Sequence, residues 1–133
     1  MSWREVQNAH REGMLAAQRQ LRKMGASYEE PIDVFGEIER CPLWLLFEPL
    51  DKLYGIYIRE GQTAGVNVHS GHPVALQRFT AAHELGHHVL GHALSIDSAD
   101  SIMGNSQSLQ EHAAQSFAAH FLMPLQLINR LLK

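Results

Sequence analysis

The spacing of apolar positions divides this chain into helical and extended stretches. Trp3, Val6, His10, Met14, Ala17, Leu21 and Met24 recur at steps of three and four, with Arg, Gln and Glu between them. That period predicts an amphipathic helix over residues 2–24, ended by Gly25. Pro31-Ile-Asp-Val-Phe opens a second, short helix to about Arg40, with proline in the first turn and Cys41-Pro42 closing it. Three extended runs follow: Leu43–Phe47, stopped by Pro49; Tyr54–Ile58, aromatic and β-branched; and Gly65–His69, alternating after a turn at Glu60-Gly61. They predict a small three-stranded sheet, antiparallel or mixed.

After a break at Gly71-His-Pro73 the period returns to helical. Leu76, Phe79, Ala82, Leu85, Val89 and Leu90 cover more than one face of a helix from about Pro73 to Leu90, which argues that it is buried. Residues 93–107 carry Ser, Asp, Asn and Gly and read as a loop, able to act as a mobile flap. Ser108 begins a further helix to Met123, and Pro124 starts a last one, Leu125 to Leu132. Ala113, Ala114, Ala118 and Ala119 give the penultimate helix a small-residue surface on which another backbone can pack closely. Strands in one block between helices argue for an α+β domain.

Composition narrows the class without choosing a function. The 133 residues suffice for one domain spanning 1–133, and 45% hydrophobic with 19% charged residues is ordinary for a globular protein. A net charge of −3 gives no electrostatic case for direct nucleic-acid binding. The basic residues of the first helix (Arg4, Arg11, Arg19, Arg22, Lys23) are read as a solvated face. One cysteine, Cys41, excludes an internal disulfide and every cysteine-based zinc cluster; it is expected as a small buried hydrophobe. With neither an apolar leader nor an apolar run near about 20 residues, the expectation is a cytoplasmic protein with no membrane partner.

The chemistry lies in the buried helix. His83-Glu84-Leu85-Gly86-His87 is an H-E-x-x-H pattern. Residues four apart share one helix face, so His83 and His87 can chelate a single ion. Zinc suits imidazole ligands and, with three protein ligands, keeps a position for water. Glu84 is placed to take a proton from that water and pass it on. The pair His88 and His92 has the same spacing but no intervening Glu, and Gly91 loosens the helix beneath it; those rings are expected to face solvent or to support a ligand from behind. His69 and His72 are expected as turn histidines.

Local sequence leaves the third ligand open. Ser108-x-x-Glu111 is a capping box, in which Glu111 reaches back to the cap, and the same Glu111 can reach a metal. His112, His120, Asp97 and Asp100 are further candidates. Leu90 and Ala93 stand where a metzincin needs Gly and His, which removes that class.

Arg78-Phe-Thr-Ala-Ala-His-Glu-Leu-Gly-His87, followed by Glu111-x-x-Ala114-Gln115-x-Phe117-Ala118-Ala119-x-x-Leu122-Met123-Pro124, resembles the ImmA/IrrE family of zinc metallopeptidases. That family's pattern is R-F-T-x-A-H-E-L-G-H, then E-x-x-A-N-x-F-A-x-x-L-L-M-P, and Pro31-Ile-Asp33 matches its upstream P-I-D element. The resemblance implies a small zincin-like domain whose H-E-x-x-H helix packs on a C-terminal helix carrying the third ligand. It implies His83, His87 and Glu111 as ligands to Zn2+ and Glu84 as general base. Gln115 departs from the family's Asn or Asp, at a position for a hydrogen bond to a ligand. His112 and His120 are candidates for steadying the oxyanion.

The family's activity implies cleavage of a helix-turn-helix repressor or antitoxin, which derepresses phage, mobile-element or stress genes. The substrate is expected to lie along an edge strand, with Gly65–His69 favoured because it directly precedes the metal helix. Two alternatives are a toxin or regulator that acts by binding and a hydrolase of small peptides.

Overall fold

The computed structural model describes residues 1–103 and 108–132. Helix α1 (Trp3–Lys23) opens on a capping box in which Ser2 and Glu5 each satisfy the other's backbone N–H. Its buried stripe is Ala9, Gly13, Ala16, Ala17, Gln20 and Leu21, while Trp3 is exposed. The buried face is therefore rotated from the one the large residues suggested. The reason is close packing on α5 (Leu109–Leu122): a Cβ at Gly13 would lie 2.1 Å from the Ala113 carbonyl oxygen.

Helix α2 (Val34–Arg40) starts after the predicted proline, because Asp33 caps the N–H of Gly36 at 3.0 Å. Cys41 follows as its cap residue, half-buried beside Gln20, and burial pushes its thiol up. Strands β1 (Trp44–Glu48), β2 (Leu53–Glu60) and β3 (Thr63–His69) form where the apolar runs placed them. Helix α3 (Val74–Val89) ends on Gly91 at φ 81°, where the His92 N–H returns to the His87 carbonyl.

Two expectations are corrected here. Residues 94–102 are not loop: they form strand β4 (Leu94–Ser98) and the single turn α4 (Ala99–Ile102), so the sheet has four strands. Positions 104–107 of the expected flap lie outside the described residues. Polar side chains disguised β4. Its alternation is regular, but Leu94 and Ile96 point outward and Ser95 and Asp97 point inward, the reverse of the usual polarity.

The second correction concerns β3. The order is β1-β3-β2-β4, with β1 parallel to β3 and the other pairings antiparallel. Gly65–His69 is thus central, and Val66 and Val68 are core residues. Among the described residues the edges are β1 and β4.

Helix α3 is sandwiched between the sheet and α5, and Thr80 through His87 are buried without interruption. Helix α5 packs on α3 and on α1 with Ala113, Ala114 and Ala118 buried, while Ala119 is exposed. Phe117 lies against Gly86, where a built Cβ would be 3.0 Å from its ring. Helix α6 (Leu125–Leu131) follows Pro124 and buries Leu127. Arg78 donates to the Ile32 carbonyl at 2.7 Å and ties α3 to the Pro31-Ile-Asp33 segment. The opposite sheet face exposes Trp44, Leu46, Ile58, Leu94 and Ile96.

Candidate metal centre

His83 and His87 stand one turn apart on α3, with ring centroids separated by 4.9 Å. Each ring is gripped from behind at Nδ1. His83 Nδ1 meets Gln115 Oε1 at 3.1 Å, and Gln115 in turn donates to the Ile102 carbonyl at 2.8 Å. His87 Nδ1 meets His92 Nδ1 at 2.8 Å. The partner at Nδ1 fixes which nitrogen of an imidazole can bind a metal, and here both rings turn Nε2 towards one point.

Two carboxylates meet the rings there. Glu111 Oε2 is 2.7 Å from His83 Nε2, and its Oε1 is 3.2 Å from His87 Nε2. Asp97 approaches the same nitrogens at 3.5 and 3.7 Å. One donor atom from each of His83, His87, Asp97 and Glu111 lies within 4.8 Å of the others, a group able to hold a metal ion. The donor set fits a divalent cation of the zinc type, which takes nitrogen and oxygen ligands. One atom supports the fit: His87 Nε2 is buried and, 3.2 Å from Glu111 Oε1, makes no well-aligned hydrogen bond, a costly condition that a bound cation relieves.

Ser108 Oγ accepts from the Glu111 N–H, so the backbone half of the expected cap forms. Both carboxylate oxygens of Glu111 meanwhile reach the cluster, where Oε1 also accepts from Ser95. Of the other ligand candidates, Asp97 joins the group and Asp100 is exposed on α4. Gln115 is brought to the cluster; His112 and His120 are not. The ring of His112 lies 5.5 Å from His10 of α1, and His120 Nδ1 bonds to the carbonyl of Ser116. His92 supports His87 from behind, and His88 Nδ1 meets the hydroxyl of Tyr57 at 2.8 Å. His69 and His72 staple the turn, with His69 accepting from the Leu50 N–H.

The electrostatics follow from burial. Burial alone lowers the His83 imidazole, but Asp97 and Glu111 outweigh it and hold the group at about 9. Burial also works against ionised Glu111, yet hydrogen bonds from His83 and His87 keep its carboxyl far below the usual range. Burial, then Asp97 and Glu111, push Glu84 well up. Glu84 is fully buried, and neither of its oxygens makes a well-aligned hydrogen bond. Burial and His87 hold His92 down at about 4, so it stays neutral near pH 7.

Three contributors escaped the sequence reading. Gly55 of β2 lets the sheet approach Glu84: a Cβ there would sit 2.7 Å from Glu84 Oε2. A glycine inside a strand pattern was the available signal. Tyr57 stacks on the His87 ring at 6.4 Å. Ser95 bonds both carboxylates, and nothing local distinguishes it from a loop serine.

A helix that presents two imidazoles and an adjacent acid, with a carboxylate supplied by a later helix, defines the molecule as a metallopeptidase-like protein. The IrrE N-terminal-like domain, a peptidase family, matches residues 38–133, and the chain belongs to that family. The match contains the whole sheet, α3 and α5, while α1 precedes it. A comparison with curated proteins finds no match.

Proposed function

We propose that the chain is a cytoplasmic, zinc-dependent endopeptidase that cleaves a helix-turn-helix repressor or antitoxin and thereby derepresses phage, mobile-element or stress genes. The observation that carries the reading is the buried Glu84 carboxyl, unpartnered and beside a group able to hold a metal. Membership of a peptidase family supports it. Among the described residues no helix is long and apolar enough to cross a membrane, which is compatible with a cytoplasmic site.

In this reading His83, His87 and Glu111 hold the metal. When bound, zinc polarises the scissile carbonyl and acidifies the attacking water. Glu84 takes the proton of that water and gives it to the leaving amine. Burial raises its proton affinity, which favours uptake of that proton. Gln115 and His92 keep the imidazoles in the orientation that leaves Nε2 available. The scissile segment extends along β4, the sheet edge whose inward residues line the centre, rather than along β3. Any contact with DNA belongs to the repressor.

The test is co-expression with a helix-turn-helix protein encoded beside this chain. Glu84→Gln is expected to reduce cleavage by at least about 100-fold while metal and partner binding persist. Full biological effect from that variant would transfer the function to binding alone. This second reading has one observation in its favour: Asp97 adds a fourth donor, and closed four-ligand zinc sites are usually structural. Glu111→Ala is expected to lose zinc in metal analysis; near-equal retention would remove Glu111 from the ligand set.

A further inference from the structure

Asp97 differs from the groups that steady the two imidazoles. Those groups, Gln115 and His92, grip Nδ1, whereas Asp97 faces the metal-binding nitrogens. Its Oδ1 is 3.5 Å from His83 Nε2 and its Oδ2 3.7 Å from His87 Nε2. Donors bound about 2.0–2.2 Å from a tetrahedral zinc stand roughly 3.3–3.6 Å apart, a range that holds the 3.5 Å between Asp97 Oδ1 and His83 Nε2. Asp97 is completely buried, and its Oδ1 has no hydrogen-bond partner, while Ser95 donates to Oδ2 at 2.8 Å. Both oxygens therefore face the group, Oδ2 anchored by Ser95 and Oδ1 free of any hydrogen-bond anchor.

Charge argues in the same direction. Two neutral imidazoles, Glu111 and a divalent cation leave one uncompensated positive charge in a buried place, and Asp97 cancels it. Asp97 also pairs across the sheet with Gly55, the residue that lets β2 approach Glu84. Its carboxylate thus interacts with Glu84 as well as with the two Nε2 atoms.

We propose that Asp97 is a fourth protein ligand to the metal, which closes the resting site until water takes its place. The inference rests on the metallopeptidase reading above. Opening is a ligand exchange: one metal–carboxylate bond breaks, one metal–water bond forms, and nothing is oxidised or reduced. Asp97 remains anchored by Ser95 and available to rebind after turnover.

The test uses the full chain loaded with Zn2+ or Co2+, and reads affinity and visible absorption rather than peptide cleavage. Zinc affinity is measured against a chromogenic chelator, and azide is added to the cobalt protein to probe for an open position. Even residues that only support a ligand are worth about 10- to 100-fold in metal affinity. Asp97→Ala is therefore expected to weaken zinc binding about tenfold or more. Azide should shift its cobalt bands at concentrations that leave wild type unchanged. Asp97→Asn, which keeps the size of the side chain, guards against a variant that fails to fold, with far-ultraviolet circular dichroism as the check. Wild-type affinity and wild-type azide response in both variants would overturn the fourth ligand and leave the metallopeptidase reading intact. No metal uptake by wild type, or uptake indifferent to His83→Ala, would overturn both.

Discussion

Around the centre, individual side chains act by what they exclude as much as by what they touch. Gly55 has no Cβ because Glu84 Oε2 and the Thr80 methyl occupy the space, at 2.7 and 2.5 Å from where that atom would be. Gly55→Ala is expected to cost about 1–3 kcal/mol through overpacking and, on the proposed function, to lower activity by displacing Glu84. Denaturant melts beside cleavage assays check this, and unchanged values in both would disprove the contact. The pattern of chemical groups on α3 was readable in advance, since the four-residue spacing of His83 and His87 dictates a shared face. The residues behind them were legible in part: His92 as one of two readings, and Gln115 through the family resemblance. His92 and Gln115 meet their imidazoles only because Gly91 reverses the chain and α5 lies alongside, so neither contact follows from local sequence.

At the level of elements, small residues decide which surfaces approach. The stripe Ala9, Gly13, Ala16, Ala17 lets α1 lie on α5, and α5 in turn meets α3 where Phe117 covers Gly86. This stack sets the depth of Glu111 relative to the imidazoles. Phe117→Ala is expected to cost about 3–5 kcal/mol and to weaken zinc binding as α5 loosens. Thermal melts with and without metal measure both effects; a stable variant with full zinc affinity would show that α5 is held elsewhere. The extent of α1, α3 and α5 was legible from periodicity, but the buried face of α1 was not, because large apolar residues outweigh alanine and glycine in any reading of pattern. Strand β4 was missed for a related reason. Its inward residues are polar since they face the His83, His87 and Glu111 side chains, and polarity in a short segment reads as loop.

For the whole molecule, folding and metal binding are linked through the same ionisable groups. In the metal-free protein His83 is held at about 9, above its ordinary 6.5. A raised folded-state pKa contributes stability that is complete below 6.5 and is lost as pH rises through about 9. Glu84, raised by burial and then by Asp97 and Glu111, acts in the same direction from its ordinary 4.5 upward. The metal-free protein is thus expected to lose thermal stability between pH 6.5 and 9. Zinc affinity should climb over the same window, because the proton on His83 must leave before the metal binds. Melting curves and zinc titrations across that range test the sign, and a flat profile in both would contradict it. Zinc at 100 times its Kd is expected to stabilise the fold by about 2.7 kcal/mol, reversibly on adding a chelator.

Sequence alone determined the α+β class, the order of the elements other than β4 and α4, the helix that carries His83, Glu84 and His87, and the resemblance that singled out Glu111. These are local or pattern properties, set by side-chain period and motif spacing. Tertiary structure decided the rest. It put β3 inside the sheet and β4 at its edge, turned Asp97 and Ser95 inward, and drew Glu111 from its cap to the imidazoles. Contacts between residues distant in the chain depend on how whole elements pack, and no window of neighbouring residues encodes that.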